Sequence, residues 1–128
     1  MDTTKLIEAA DAARKYAYVP YSGFHVGAAL LCTDGTVYTG CNIENAAYGP
    51  TNCAERTAIF KAVSEGHRSF AAIAVISDSE AYTTPCGVCR QVMAEFCRPD
   101  FTIYMCNTNR EYQEITLEEL LPLAFSLK

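Results

Sequence analysis

Features that would point to a membrane or to a nucleic acid are missing from this sequence of 128 residues. No stretch approaches the roughly 20 consecutive apolar residues of a transmembrane helix. Lys and Arg form no cluster, and the 10 basic residues are outnumbered by 15 acidic ones, giving a net charge of −5. Because a negative surface repels phosphate backbones, we expect neither a membrane protein nor a polynucleotide-binding protein.

Signals for secretion and for several domains are also missing. The first residues, Met1 to Lys5, lack the basic and then apolar regions of a signal peptide. No repeat, linker or low-complexity stretch divides the chain, and half of its residues are apolar, enough for one compact core. We therefore expect residues 1–128 to form a single domain in the cytoplasm.

Cysteine is abundant by comparison, with seven residues, whereas histidine occurs only at His25 and His67. An odd number of cysteines in a chain that is not a small secreted scaffold rarely indicates a disulfide framework. Such cysteines are more often metal ligands or buried thiols.

Hydrophobic periodicity predicts alternating helices and strands. Leu6, Ala10, Ala13 and Ala17 share one face of a first helix, which Pro20 ends, and Asp34-Gly35 joins two apolar runs as a hairpin. The predicted elements are that helix, strands over 25–32 and 37–41, a helix over 53–64, a strand over 71–77, a helix over 87–97, a strand over 101–106 and a last helix after a capping box that begins at Thr116. This order predicts an α/β fold, a mixed sheet covered by helices on both faces.

Two short thiol motifs, Cys53-Ala54-Glu55 and Pro85-Cys86-Gly87-Val88-Cys89, are the most informative part of the sequence. Each opens a predicted helix, where the free N–H groups and the helix dipole lower the pKa of a cysteine. Cys86 and Cys89 share a helix face, so they can chelate one ion, and Cys53 would complete the site from the facing helix. Three protein ligands around zinc leave the fourth tetrahedral position open for water, as in catalytic zinc sites.

Glu55 and Arg56 complete the predicted centre. A carboxylate held beside the water can take its proton and pass it on, so Glu55 is the candidate catalytic residue. Three thiolates and Zn²⁺ carry a net charge of −1, and Arg56 can fold back from the helix to donate to the sulfurs as a supporting partner.

Other interpretations of the thiols remain open. The Cys-x-x-Cys motif also occurs in redox pairs and in structural zinc sites. A structural site needs a fourth ligand, and the candidates are Cys32, Cys41, Cys97, Cys106, His25 and His67. Most of these cysteines fall in apolar strands, where a free thiol is usually a small core residue, and His67 at a helix end is expected at the surface. The Cys-Ala-Glu arrangement favours the catalytic interpretation.

The thiol motifs follow the pattern of zinc deaminases, in which the Glu is not a ligand. Three segments around them, YSGFHVGAA (21–29), GCNIEN (40–45) and CGVCRQ (86–91), resemble cytidine deaminase, and the resemblance extends from near residue 5 to Phe125. It is closest to the short, homotetrameric class with three cysteine ligands. This resemblance implies a three-layer α/β/α sandwich with a mixed five-stranded sheet.

The same resemblance implies the activity, which is the hydrolysis of cytidine and 2′-deoxycytidine to the uridine forms plus ammonia, in pyrimidine salvage. It implies one Zn²⁺ per chain, held by Cys53, Cys86 and Cys89, with Glu55 moving the protons. A related deaminase for another aminated base, for a nucleoside antibiotic or for a polynucleotide is the alternative enzyme. A structural zinc or redox module without turnover is the alternative outside enzymes.

Residues that would contact the substrate also follow from the resemblance. Asn42 and Glu44 would hydrogen-bond the ribose 3′-hydroxyl, unless both only satisfy loop backbone groups. Phe24 would stack on the pyrimidine, unless it packs in the core, and the backbone at Ala54 would donate to the base O2.

Two aromatic residues are expected to act between subunits. In the family, the residues that match Tyr48 and Phe125 reach the active site of a neighbouring subunit, although both could instead pack in a core or an interface. Arg90 and Gln91 match the family motif and are expected to have support roles. The resemblance therefore implies a homotetramer with sites shared between subunits.

Overall fold

The computed structural model describes all residues, Met1–Lys128. Five strands form one mixed sheet in the order β2-β1-β3-β4-β5, in which β3 and β4 are parallel and the other neighbours are antiparallel. The elements are α1 (Thr3–Arg14), β1 (Val26–Cys32), β2 (Val37–Cys41), α2 (Ala54–Ser64), β3 (Phe70–Ser77), α3 (Gly87–Phe96), β4 (Thr102–Cys106), β5 (Tyr112–Thr116) and α4 (Leu117–Leu120).

Two hydrophobic clusters lie on opposite faces of the sheet. Leu6, Ile7 and Ala10 of α1 pack on one face, while α2, α3 and α4 cover the other with a larger cluster that includes Ile59 and Met93. This arrangement is the expected three-layer sandwich. No helix is both long enough and apolar enough to cross a membrane.

The alternation of helices and strands is confirmed, with two differences from the sequence-based prediction. The helix α1 ends at Arg14, so Ala17 lies beyond it. The chain must leave the helix there because Tyr18 N donates to Asn42 O at 3.0 Å, forming a bridge with the loop after β2. The edge strand β5 was not predicted from the hydrophobic pattern, because Tyr112, Gln113 and Glu114 are all exposed.

Glycines set how closely the helices approach the sheet. A Cβ atom built on Gly40 of β2 would lie 2.5 Å from Ala54 O and 2.6 Å from Ala58 N, both backbone atoms of α2. On the opposite face, a Cβ built on Gly27 would lie 2.1 Å from Ala10 O of α1. Because only glycine fits at Gly40, the sheet holds the first turn of α2 in contact with β2.

Candidate active site

The N-termini of α2 and α3 meet at the thiol motifs. Cys53 is the N-cap residue of α2 and Cys86 is that of α3, and both have extended backbone dihedrals. Neither side chain makes a capping hydrogen bond. Ser, Thr, Asp or Asn at an N-cap typically contributes about 0.5–2 kcal/mol through such a bond, so the two sulfurs forgo a stabilising role and remain available as ligands.

The three sulfur atoms of Cys53, Cys86 and Cys89 lie within 4.8 Å of one another, and those of Cys53 and Cys86 are 3.7 Å apart. A zinc–sulfur bond of about 2.3 Å in a tetrahedral site places two sulfurs about 3.8 Å apart. The spacing therefore fits zinc, and the three residues come from two helix starts as their motif spacing predicts. No fourth His, Cys, Asp or Glu ligand atom joins this group.

Arg56 supplies positive charge beside the sulfurs. Its Nη2 donates to Cys53 Sγ at 3.2 Å, whereas its Nε is buried without a hydrogen-bond partner. No carboxylate lies within ion-pair distance of this guanidinium. Because a partly buried cation needs a counter-charge, this arrangement fits a cluster of thiolates that bears negative charge. Hydrogen bonds from Cys89 and then from Arg56 lower the pKa of Cys53 well below the usual value of a thiol.

Glu55 is buried next to the thiols. It follows Cys53 by two residues in the first turn of α2, is 4 % exposed and makes no ion pair. Burial raises the pKa of Glu55 to about 7, and the Cys89 thiol is close enough to lower it in part. A carboxyl group with a pKa near neutrality can both accept and donate a proton.

Asn42 and Glu44 fix the loop that precedes β1. Asn42 Oδ1 accepts from Val26 N at 2.9 Å, and its Nδ2 donates to Phe24 O at 2.8 Å. Glu44 accepts from the backbone N–H groups of Tyr21 and Ser22 at 3.0 and 3.1 Å and from the Ser22 hydroxyl. These hydrogen bonds lower the pKa of Glu44, with the largest effect from the Ser22 side chain. Both side chains thus satisfy backbone groups, and each keeps a further acceptor lone pair or donor hydrogen for a ligand.

Phe24, Ala54 and Tyr48 differ widely in exposure. Phe24 is 42 % exposed at the end of the loop that Asn42 and Glu44 hold, so it is not a buried core residue. Ala54 is fully buried at the start of α2. Tyr48 is 91 % exposed and lines, with Glu44, a concavity of about 350 Å³.

The C-terminal tail is anchored to α3 close to the thiol motif. Gln91 Nε2 donates to Phe125 O at 3.0 Å, while the Phe125 ring remains 68 % exposed. Arg90 donates to Pro85 O at 2.8 Å and to Leu120 O at 2.9 Å, which ties the loop before Cys86 to α4. These contacts are of the supporting kind expected for Arg90 and Gln91.

A second group of potential ligands was missed by the sequence analysis. Cys32, Asp34 and His67 have ligand atoms within 4.8 Å of one another, separate from the three thiols of the helix starts. Cys32 is buried and belongs to the core, as expected, and His67 is half-buried rather than fully at the surface. Their sequence spacing carried no signal because the three residues come together only through the fold.

Known proteins match this chain over almost its whole length. The family model for the cytidine and deoxycytidylate deaminase zinc-binding region matches residues 1–105. The chain is 60 % identical to the cytidine deaminase of Sporosarcina psychrophila over 126 residues, which are 98 % of this chain and 93 % of the relative. It is also 60 % identical to that of Halalkalibacterium halodurans, over 98 % of this chain and 96 % of the relative.

Solved structures agree with this match. The crystal structure of the cytidine deaminase from Burkholderia pseudomallei has a TM-score of 0.95 and 50 % sequence identity, and the match covers 98 % of this chain and all of that one. The expected sandwich with a mixed five-stranded sheet is thereby confirmed. The chain belongs to the cytidine deaminase family.

Proposed function

We propose that this protein hydrolyses cytidine and 2′-deoxycytidine to uridine and 2′-deoxyuridine plus ammonia, using one Zn²⁺ per chain held by Cys53, Cys86 and Cys89. One observation carries the proposal. Three sulfurs converge from two helix N-caps with the buried carboxyl of Glu55 beside them, and no fourth protein ligand closes the group. This is the donor set of a catalytic zinc site, not of a structural one.

In the reaction, water adds to C4 of the pyrimidine, a C–O bond forms, and the C4–N bond then breaks to release ammonia. Zinc, when bound, supplies a Lewis acid that makes water acidic enough to attack at neutral pH. Glu55 takes the proton that the water loses and delivers it to ring N3, which makes C4 electrophilic. Glu55 then moves the proton of the new C4 hydroxyl to the departing amine, which leaves as ammonia while the C4 carbonyl forms. Burial raises the pKa of Glu55, which suits a group that both accepts and donates a proton.

Arg56 has the role of a positioning and charge-balancing residue. Its hydrogen bond to Cys53 and its buried Nε place a full positive charge next to thiolates that would outweigh the charge of Zn²⁺. Drawing electron density from the sulfurs strengthens the metal as a Lewis acid. Arg56 touches no reacting atom in this scheme.

The loop around Phe24 would bind the nucleoside. Phe24, half-exposed at the loop end, would stack on the pyrimidine, and the backbone at Ala54 would donate to O2. Asn42 and Glu44 would use their remaining hydrogen-bond capacity on the ribose 3′-hydroxyl. A carboxylate at that position repels a phosphate, so we expect nucleosides to be preferred over nucleotides.

We further propose a homotetramer whose sites are shared between subunits. The support is that Tyr48 and Phe125 are large aromatic residues with most of their surface exposed in one chain, near the loop and the helix that carry the site. Both rings would be buried against a neighbouring subunit and complete its site.

The domain organisation, the cellular compartment and the metabolic role are proposals as well. Residues 1–128 would act as one catalytic domain, since the family match and the relatives span nearly all of them. None of the seven cysteines is in a disulfide, which fits a reducing compartment such as the cytoplasm. A preference for free nucleosides, together with the acidic surface, fits pyrimidine salvage and no interaction with nucleic acid or membrane.

The test is incubation of the purified protein with cytidine, 2′-deoxycytidine, cytosine, adenosine and cytidine monophosphate, while ultraviolet absorbance and ammonia are followed. We expect both cytosine nucleosides to be converted with one ammonia each, and the free base and the monophosphate to react far more slowly. Glu55→Gln protein serves as the control for contaminating activity. Turnover of the monophosphate above that of cytidine, or no turnover at all, would contradict the proposal.

A complementation experiment tests the shared site. At a cytidine concentration well below KM, subunits carrying Glu55→Gln and subunits carrying Phe125→Ala are each expected to have low activity alone. In mixed oligomers, a subunit with an intact Glu55 can receive an intact Phe125 from its neighbour, so activity should exceed that of both parents. Mixed oligomers no more active than the sum of the parents would contradict site sharing.

A further inference from the structure

A second cluster of metal-ligating side chains lies where the β1–β2 hairpin meets the end of α2. Cys32 is the last residue of β1, Asp34 stands in the hairpin turn, and His67 follows α2. Their ligand atoms lie within 4.8 Å of one another. Since α2 has 11 residues, this cluster is about 16 Å along the helix from the thiol centre at its N-terminus.

The backbone fixes two of the three ligands. Gly66 has a φ of 96°, its N–H donates to Val63 O at 3.1 Å, and His67 N donates to Ala62 O at 3.0 Å. These two bonds form a Schellman motif that ends α2 and sets the direction of His67. Asp34 Oδ1 accepts from Thr36 N at 2.9 Å, which leaves Oδ2 facing the imidazole, 3.3 Å from His67 Nε2.

The hydrogen bonds around His67 indicate that a cation belongs between His67 Nε2 and Asp34 Oδ2. The Tyr38 hydroxyl donates to Glu65 Oε2 at 2.8 Å, because a carboxylate can only accept. Tyr38 Oη therefore accepts from His67 Nδ1, 3.2 Å away, and the proton of a neutral imidazole resides on Nδ1. His67 Nε2 then presents a lone pair to Asp34 Oδ2. Two acceptors at 3.3 Å repel each other unless a proton or a metal ion lies between them.

The third side chain favours a metal over a proton. An ion pair between imidazolium and carboxylate does not involve the Cys32 thiol, whereas thiolate, imidazole and carboxylate are the three kinds of protein ligand that Zn²⁺ takes. The Nδ1–H bond to Tyr38, backed by Glu65, is the outer hydrogen bond that metal-binding histidines make. The C-terminal end of α2 also carries partial negative charge that attracts a cation.

We propose that Cys32, Asp34 and His67 bind a second divalent transition-metal ion, Zn²⁺ by preference, which clamps the β1–β2 hairpin turn to the C-terminal end of α2. A thiolate and a carboxylate neutralise the charge of the ion. With Asp34 60 % exposed, the fourth position is open to water. The ion contacts no residue of the proposed substrate site, so its role is to stabilise the fold and not to take part in deamination.

Cobalt binding to the protein already loaded with one zinc per chain tests this site. We expect one further Co²⁺ per chain, with the visible bands of a tetrahedral site and thiolate-to-cobalt charge-transfer absorption in the near ultraviolet. His67→Gln and Cys32→Ser should remove the bound ion and both signals. Excess Zn²⁺ should raise the melting temperature of the unmodified protein and leave that of the His67→Gln variant unchanged.

Two controls use similar residues elsewhere in the chain. His25 Nδ1 lies 2.8 Å from Asp78 Oδ2, so it is also a histidine beside a carboxylate, but no thiol joins that pair. Cys97 is a half-buried thiol in neither metal group. His25→Gln and Cys97→Ser should both retain the second Co²⁺ with its charge-transfer band.

Three results would overturn the proposal: no second equivalent of Co²⁺, binding without thiolate absorption, or binding that survives His67→Gln. If no second Co²⁺ binds, Asp34 and His67 form only an ion pair with each other. His67 lies near the surface, so the His67→Gln variant should fold normally. It therefore tests the metal site even where Cys32→Ser disturbs the core. Failure of the proposed deaminase would instead appear as loss of cytidine turnover with the second Co²⁺ still bound.

Discussion

Replacing Gly40 by alanine tests whether the sheet positions the first turn of α2, which carries the proposed catalytic residue Glu55. The new Cβ would lie 2.5 Å from Ala54 O and 2.6 Å from Ala58 N, where ordinary contacts begin at 3.4 Å. Both neighbours are backbone atoms, so no side-chain rotation relieves the overlap. The first turn of α2 must move by about 0.9 Å, the difference between 3.4 and 2.5 Å.

The displacement should lower both the folding stability and the catalytic rate. Overpacking of a well-packed contact typically costs about 1–3 kcal/mol of folding stability. A misplacement of about 1 Å at a catalytic group costs about a hundredfold in rate. Because Ala54 stands between Cys53 and Glu55, Gly40→Ala should lower kcat for cytidine between tenfold and a hundredfold in molecules that remain folded, at roughly that cost in stability.

Gly27→Ala is the matched control. Its Cβ would overlap Ala10 O at 2.1 Å, so it destabilises the fold at least as much, but it displaces α1 on the opposite face of the sheet. Urea unfolding gives the stability of both variants. The kcat for cytidine is then measured at a temperature where each variant is folded, and is expressed per bound zinc.

We expect Gly27→Ala to keep kcat within about twofold of the unmodified protein while Gly40→Ala loses at least tenfold. Equal losses in both variants would mean that activity follows overall stability and not the position of α2. Full activity in Gly40→Ala would show that the contact between β2 and α2 does not position the site.

Three further substitutions test individual roles. Glu55→Gln should retain zinc and lose a factor of about 10²–10⁴ in kcat, the usual contribution of a general acid–base residue, and substantial remaining activity would exclude that role. Arg56→Gln should lower kcat about tenfold or more at nearly unchanged melting temperature, since removing the outer hydrogen-bond partner of a metal ligand typically costs about 10–100-fold in activity; unchanged turnover would count against this role. Phe125→Ala should raise KM for cytidine about tenfold because a ring that completes a neighbouring site is lost, and an aromatic contact with a base contributes about 1–3 kcal/mol. Leu127→Ala, 92 % exposed in the same tail, should not raise KM.

The thiol centre could be predicted from the sequence because its signal is local. Cysteines at two helix starts, in place of the capping residues that usually stand there, break a local rule that proteins tend to break at functional sites. The structure adds that Arg56 has no carboxylate partner and that Glu55 is more than nine-tenths buried. Neither property could be predicted from the spacing of the two thiol motifs.

Other features could not be predicted because they depend on contacts between distant segments. The hydrogen bonds of Asn42 and Glu44 to residues 21–26 arise where the loop after β2 crosses the loop before β1. The edge strand β5 has an exposed polar half, so it lacks the apolar alternation that marks a half-buried strand. In the sequence, Cys32 was typical of a buried core thiol and His67 of a surface residue at a helix end. Only the packing of the hairpin against the end of α2 brings their side chains together.

The most direct test of the central claim is X-ray absorption at the zinc edge, measured on the His67→Gln variant so that only the thiol centre holds metal. We expect about one zinc per chain, with three sulfur donors at about 2.3 Å and one oxygen at about 2.0 Å. Four donors from the protein, or a protein that deaminates cytidine with no metal bound, would contradict the open zinc site on which the proposed mechanism depends.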